Sequence, residues 1–314
     1  MNIEKIRPYL PWLTLIFLAL LVGTANPAFF NPSGMIALIA DIVPLFIMAL
    51  GMTFAIYIGG IDLSVQQMAN LVTVVATVYL AQLGMGVALV CVALGFVFGA
   101  ISGYVTTRLY VPSFVSTLAV GFIALSGAKY LSGERALSMD ATLRNESFGW
   151  MFETTAGAPN ELIIAGFLLF VAWVLQTKTT FGRALKAVGS GELAAVASGL
   201  NVDRIKIIAF AISGTFAAVA GLMFSVKLSG GDANLANGFL LLAIVAVLVG
   251  GTPLTGGVGG VINTLIGTLI VVVIRSAMVY LEIDATQQQM VFGLVLIAAI
   301  ALTIDRSKLR GVVK

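Results

Sequence analysis

Stretches of apolar residues, most of them near the length that carries an α-helix across a bilayer, recur along this 314-residue chain and leave room for little else. They fall at 10–27, 36–58, 66–81, 84–107, 111–131, 161–177, 205–226, 237–250, 260–281 and 287–304. Apolar residues make up 60% of the sequence and charged ones only 10%, against roughly a quarter charged in soluble domains, so the surplus hydrocarbon must face lipid. The expected fold class is all-α: a polytopic integral membrane protein of about ten transmembrane helices, eight and nine being the alternative counts, in one transmembrane domain over 1–314. The third and eighth stretches are the shortest and are expected to be short, tilted or partly re-entrant unless they borrow from their flanks.

Charge placement orients the spans. With the amino terminus inside, ten spans put twelve of the 17 basic residues on cytoplasmic segments, from Lys5 and Arg7 through Lys178, Arg183, Lys186, Arg204 and Lys206 to Arg306 and Lys314. Both termini are therefore expected in the cytoplasm. Residues 1–30 imitate a secretory signal, but nine further apolar stretches follow, so an uncleaved first span is expected. The chain has no histidine and a single cysteine, Cys91, in an apolar run. Histidine-based hydrolysis, the usual zinc sites and an internal disulfide are thereby excluded, and no catalytic or metal-binding residue is assigned. A net charge of +3 indicates no particular partner, and no nucleic-acid partner is expected.

Four polar or glycine-rich stretches interrupt the hydrocarbon. Gly59-Gly60-Ile61-Asp62-Leu63-Ser64-Val65 stands between the second and third spans. Ser64 to Gln67 fits a capping box, and capping is one reading of Asp62 and Ser64. The other is that a broken helix turns Asp62, Ser64, Gln66, Gln67 and Asn70 toward a water-filled translocation path. Val249 to Gly260 carries six glycines; Gly257 stands where a phosphate-binding loop needs lysine, so close helix packing is the better reading. Its Leu254-Thr255 echoes Leu63-Ser64 at equal spacing after a glycine pair.

The third stretch, 178–206, is the longest cytoplasmic segment. Glu192 to Ser198 reads as a short helix with Ser190 as N-cap and Glu192 complementing the helix dipole. Ala194, Ala195 and Ser198 share a face of small side chains, which suits docking into a partner's cleft as well as it suits a solvated loop helix. The fourth stretch, 132–160, is an acidic external loop, either solvated or a landing surface for another protein. Two charges fall clearly inside spans: Asp41 and Arg275, near the external end. They either snorkel to the interface or pair across an outer gate.

An ordered set of fragments covers 30–305. It comprises Ala49-Leu50-Gly51-Met52-Thr53, the Gly59–Val65 stretch, Val111-Pro112-Ser113-Phe114-Val115-Ser116-Thr117-Leu118, Thr180-Phe181-Gly182-Arg183 with the Gly189–Gly199 segment, Ser213-Gly214, Ala220-Gly221, and Val249-Gly250-Gly251-Thr252 with Gly256-Gly257. In this it resembles the permease subunits of bacterial ATP-binding-cassette importers for ribose and related sugars, a branch similar to branched-chain amino-acid permeases. The resemblance implies that Gly182 to Gly199 contains a coupling helix seated on a separate ATPase, with Gly182, Arg183, Gly189, Ser190, Glu192, Ala194, Ala195, Ser198 and Gly199 in that role. It implies a second permease copy or related chain, an extracytoplasmic solute-binding protein and a bacterial inner membrane. No cofactor is expected on this chain, ATP and Mg belonging to the partner ATPase.

The chain departs from that pattern where Gln66 replaces a usual glycine, Ser190 a usual asparagine, and leucines the usual acids in 238–243. The expected function is passage of a monosaccharide or related small polar solute by alternating access. An ion-coupled secondary transporter is the alternative, and an intramembrane enzyme lacks the side chains it needs.

Overall fold

The computed structural model describes residues 9–303. The basic residues at 5, 7 and 306–314, on which the placement of both termini rests, lie outside the described residues. The helices are α1 (Leu10–Ala25), α2 (Pro32–Asp41), α3 (Val43–Tyr57), α4 (Val65–Leu83), α5 (Val87–Arg108), α6 (Ser113–Ser132) and α7 (Ala141–Phe148). There follow α8 (Asn160–Thr177), α9 (Thr180–Ser190), α10 (Glu192–Ala197), α11 (Val202–Leu228), α12 (Phe239–Val249), α13 (Val261–Tyr280) and α14 (Ala285–Thr303). Each of the ten apolar stretches falls on one or two of these helices. By length and composition, five helical segments can cross a membrane, or six with the bent pair α2–α3.

The two shortest stretches differ. The third borrows from its flanks, for α4 has 19 residues. The eighth is shorter still: α12 has 11 residues, about 16 Å of helix, roughly half the hydrocarbon thickness. The second stretch is split between α2 and α3, which meet at 51°. Pro44, in the first turn of α3, has no N–H with which to continue the ladder of α2.

The helix α3 is the axis of the molecule, with all 15 residues buried, as befits a helix apolar on every side. The long helix α11 packs beside it and carries α4 and α5 on its other flank. Gly95, Gly99 and Gly103 of α5 face Gly214, Phe210 and Ile207 of α11 in descending order, so the two helices are antiparallel. Ala69 and Thr73 of α4 meet Gly221 and Ser225 in ascending order, so α4 runs parallel to α11. The stretch 65–108 is therefore a hairpin, closed at Gly84 in a left-handed conformation (φ 52°).

The segment 132–160 is partly ordered into helix α7, capped by Asp140 Oδ1 on Leu143 N, and two small antiparallel strand pairs. In one, β1 (Leu137–Ser138) pairs with β4 (Gly230–Gly231), with Leu137 opposite Gly231. In the other, β2 (Thr154–Thr155) pairs with β3 (Ala158–Pro159). Arg144 also donates to Ser229 Oγ, tying α7 to the end of α11.

The α5–α11 contact depends on missing side chains. A Cβ on Gly99 would lie 2.2 Å from Phe210 O, whereas one on Gly86 meets nothing within 4 Å. Gly99→Val is expected to lower stability by about 1–3 kcal/mol or to prevent folding, and Gly86→Ala to leave it unchanged. Thermal midpoints of the detergent-purified variants check both outcomes.

Candidate functional site

Three glycine-bearing segments meet at one junction. Tyr57 O, where α3 ends, accepts a hydrogen bond from Gly257 N at 2.8 Å. A Cβ on Gly189 would lie 2.0 Å from that same Tyr57 O, and one on Gly257 2.8 Å from Gly189 O. Gly256 and Gly257 both take positive φ, 74° and 75°, which glycine adopts at little cost. The break after α3, the Gly250–Gly260 loop and the end of α9 are thus in backbone contact. The echo between Leu63-Ser64 and Leu254-Thr255 has a spatial counterpart, since Gly59 lies against Thr255 O.

From this junction the chain enters a knob. The helix α9 is capped by Thr179 Oγ1 on Gly182 N at 3.0 Å, and Gly182 itself is pressed against Gln176 O. Ser190 is the last residue of α9 and not the N-cap of α10. That position belongs to Gly191, whose extended backbone (φ 174°) breaks the two helices apart and supplies no side-chain cap. Glu192 stands in the first turn of α10, and both its oxygens accept from Lys206 Nζ at 2.6 Å, clamping α10 onto α11. Ala195 is buried against its own chain, so the small-residue face expected to dock is in part an internal contact. Ala194 and Ser198 are exposed, Ser198 Oγ donating back to Ala194 O at 2.8 Å. Gly199 closes the knob at φ 79°, and Arg183 stays exposed on α9. What the knob presents outward is Leu193, 88% exposed, and Val196, 56% exposed. Sequence reasoning passed over both, although two large apolar side chains in a charged segment were a visible signal.

On the other side of the break, Asp62 is fully buried. Its Oδ1 accepts from Ser64 N at 2.9 Å and from Ser64 Oγ at 2.5 Å. Ser64 occupies the N-cap position of α4 without bonding a helix N–H, so the capping box does not form. The hydroxyl instead donates to the Asp62 carboxyl oxygen. Ile61 N and Leu63 N are satisfied from α6, by Ser113 Oγ at 3.1 Å and Thr117 Oγ1 at 3.0 Å.

The path residues expected on α4 come together, and the structure supplies their opposite wall. Gln66 Nε2 donates to Asn237 Oδ1 at 3.1 Å, while Gln66 Oε1 accepts from Gly238 N at 3.1 Å and Leu240 N at 3.3 Å. Asn70 Nδ2 donates to Gln67 Oε1 and to Asn237 Oδ1, both at 3.1 Å, and Asn70 Oδ1 accepts from Ala236 N at 2.7 Å. Thr73 Oγ1 donates to Asp232 O. The bulky amide of Gln66 therefore caps the start of α12, whose first N–H groups have no other helical partner. Asn237, Asn234 and Asp232 were missed, though three polar side chains within 232–238, just before a short apolar helix, marked the place. The network reaches the surface at Asn234 and Asn237 and contains no basic side chain.

Asp41 and Arg275 are not brought together. Asp41 Oδ1 lies 3.5 Å from Lys227 Nζ, which also approaches Glu161 Oε2 at 3.4 Å. Lys227 Nζ also donates to Ala40 O at 3.1 Å, so this side chain links the ends of α2 and α11, and among the described residues no ion pair to Arg275 forms.

Comparison with known proteins places this geometry in context. Residues 34–300 match the family described as branched-chain amino acid transport system / permease component. The chain is 32% identical over 302 residues to the ribose import permease protein of Escherichia coli (strain K12), covering 94% of this chain and 92% of that protein. It is 32% identical over 308 residues to the corresponding protein of Bacillus subtilis (strain 168), covering 95% and 92%. To the xylose transport system permease protein of Escherichia coli (strain K12) it is 29% identical over 316 residues, covering 81% and 80%. No solved structure matches the chain.

Asn70 is fully buried, and its Oδ1 is the partner of Ala236 N. Asn70→Ala leaves that N–H orphaned and is expected to cost about 1–3 kcal/mol, while Gln66→Ala, half-exposed, costs less. Thermal unfolding in detergent ranks the two.

Proposed function

The chain belongs to the branched-chain amino-acid transport system permease-component family, and from that premise we propose that it is the membrane-spanning subunit of an ATP-driven importer for a monosaccharide or a related neutral, hydroxylated solute. The ten apolar stretches act as about ten spans in one domain, with both termini in the cytoplasm of a bacterial inner membrane. A separate ATPase holds ATP and Mg, an extracytoplasmic binding protein delivers the solute, and a second permease copy completes the path.

The observation that carries this reading is the knob at Glu192–Ala197. Two apolar side chains stand in solvent on a short helix braced by Glu192–Lys206, an arrangement that gains free energy only when something covers it. The brace fixes the angle of α10, so Glu192 acts by positioning and Leu193 and Val196 make the contact. A push on the knob reaches Gly189, and from there the break at Tyr57–Ser64, through backbone contacts that have little slack. ATP binding on the partner then shifts the population between outward-open and inward-open states.

The solute class follows from the side chains of the amide network. Gln66, Gln67, Asn70 and Asn237 offer donors and acceptors without net positive charge, which suits hydroxyl groups. A free amino acid also needs a cation or helix amino terminus for its carboxylate, and here the first N–H groups of α12 are already occupied by Gln66. Names of the relatives point the same way, two being ribose permeases and one a xylose permease.

Reconstituted with its ATPase and binding protein in liposomes, the chain is expected to accumulate a labelled pentose or hexose only when ATP is supplied. Leu193→Asp is expected to reduce that uptake at least about tenfold, the loss of one buried apolar anchor, without moving the thermal midpoint of the isolated chain. Glu192→Arg, which sets two cations against each other, is expected to uncouple hydrolysis from uptake. The exchange Glu192→Lys with Lys206→Glu is expected to restore it. Uphill transport by the chain alone under an ion gradient, or full uptake by Leu193→Asp, would refute the assignment.

A further inference from the structure

A crevice of about 200 Å³ opens between the bent α2–α3 pair, α8 and α13. Ile42, Phe46, Leu162 and Leu269 line it, together with Gly166 and Thr268. The Thr268 hydroxyl is turned onto Thr264 O at 2.8 Å, so what the crevice presents is hydrocarbon. It exists because α2 leaves the axis of α3 at 51°, opening a wedge between the two and α8.

Gly166 sets this crevice apart from the glycine contacts elsewhere in the molecule. A Cβ there meets nothing within 4 Å, whereas at Gly95, Gly99 and Gly214 the neighbouring backbone lies 2.2–2.3 Å away. Helix packing does not require the residue, and glycine inside a helix lowers helix stability. Its effect is to keep the crevice open in the middle of α8.

The rim is charged. Asp41 and Glu161 immediately precede two lining residues, Ile42 and Leu162, and Lys227 lies 3.5 Å and 3.4 Å from their carboxylates. Lys227 Nζ also donates to Ala40 O at 3.1 Å, at the carbonyl end of α2. Two carboxylates and one ammonium leave a surplus negative charge, and it resides on Asp41, whose side chain is 59% exposed where that of Glu161 is 7% exposed. A helix carboxyl end adds to the same sign.

We propose that this crevice is a lipid site, taking an acyl-chain segment of a phospholipid whose headgroup carries a primary ammonium, phosphatidylethanolamine in kind. The ammonium sits on Asp41 and the phosphate beside Lys227. The space is too small for a second helix, whose body is about 10–12 Å across, and it holds a stretch of one hydrocarbon chain. Primary ammonium donates charge-assisted hydrogen bonds to a carboxylate, which a trimethylated choline headgroup does not do. A glycerol headgroup brings no cation to a rim of net negative charge. The site depends on the membrane setting of the chain and on nothing in the proposed transport reaction.

Native mass spectrometry of the full chain, delipidated and then given phosphatidylethanolamine, phosphatidylcholine or phosphatidylglycerol of matched acyl chains, tests the assignment. The expected result is retention of phosphatidylethanolamine at least about fivefold above the other two, falling to near parity in Asp41→Asn. Gly166→Leu fills open space and is expected to abolish retention of all three without lowering the thermal midpoint, and the single methyl of Gly166→Ala to reduce it in part. No preference among lipids in the unaltered chain, or undiminished retention in both Gly166 variants, overturns the proposal. So does a change of oligomeric mass on Gly166→Leu, which would assign the crevice to a second copy of the chain.

Discussion

Backbone touching backbone through glycine is the contact on which the rest of this structure depends. Between hydrocarbon-coated helices in a bilayer there is no hydrophobic gain from association, so close approach and dispersion must supply the adhesion. Gly95, Gly99 and Gly103 let α5 lie directly on α11, and Gly221 lets α11 lie on Ala69 of α4. The same device at Gly189, Gly256 and Gly257 joins three segments far apart in sequence onto the end of α3. A methyl at any of these points would sit inside a neighbour's van der Waals radius, which makes the arrangement rigid as well as close.

Rigidity at that junction has a mechanical meaning. The exposed knob and the amide network lie on opposite sides of the break between α3 and α4, and both are anchored to α11, at Lys206 and, through Thr73 O, at Ser225. The backbone N–H groups of Ile61 and Leu63 in the break are satisfied locally by Ser113 and Thr117, and Asp62 Oδ1 holds Ser64. Irregular backbone is tolerated at membrane depth only on such terms. Across the seam between α4 and α12 the contact is mainly one of side-chain amides, whose hydrogen bonds exchange with those of water or a hydroxylated solute at small net cost. Packed hydrocarbon in the same place would have to be torn open.

Much of this was legible beforehand in coarse form. The ten apolar stretches all lie on helices, because a run of twenty apolar residues has one stable conformation in lipid. The ordered motifs pointed to the permease family to which the chain belongs. Errors came where a residue's role depends on its neighbour in space. Ser64 and Ser190 both looked like helix caps, yet one bonds Asp62 and the other ends the preceding helix. Ala195 looked like docking surface and is buried, while Leu193 beside it is the exposed side chain. For Asp41, snorkelling and pairing with Arg275 were both open, and it faces Lys227 instead.

Periodicity, length and composition are properties of consecutive residues, and they were enough to determine that this chain is helical, lives in lipid and carries no histidine chemistry. Which groups meet was decided by the tertiary structure alone. Gln66 touches Asn237 across 171 positions, and Thr53 touches Thr264 across 211. Such pairings depend on crossing angles and register between helices whose outer surfaces are chemically alike. Nothing in a single apolar segment encodes which of many similar neighbours it will lie against, and only the simultaneous packing of all of them resolves it.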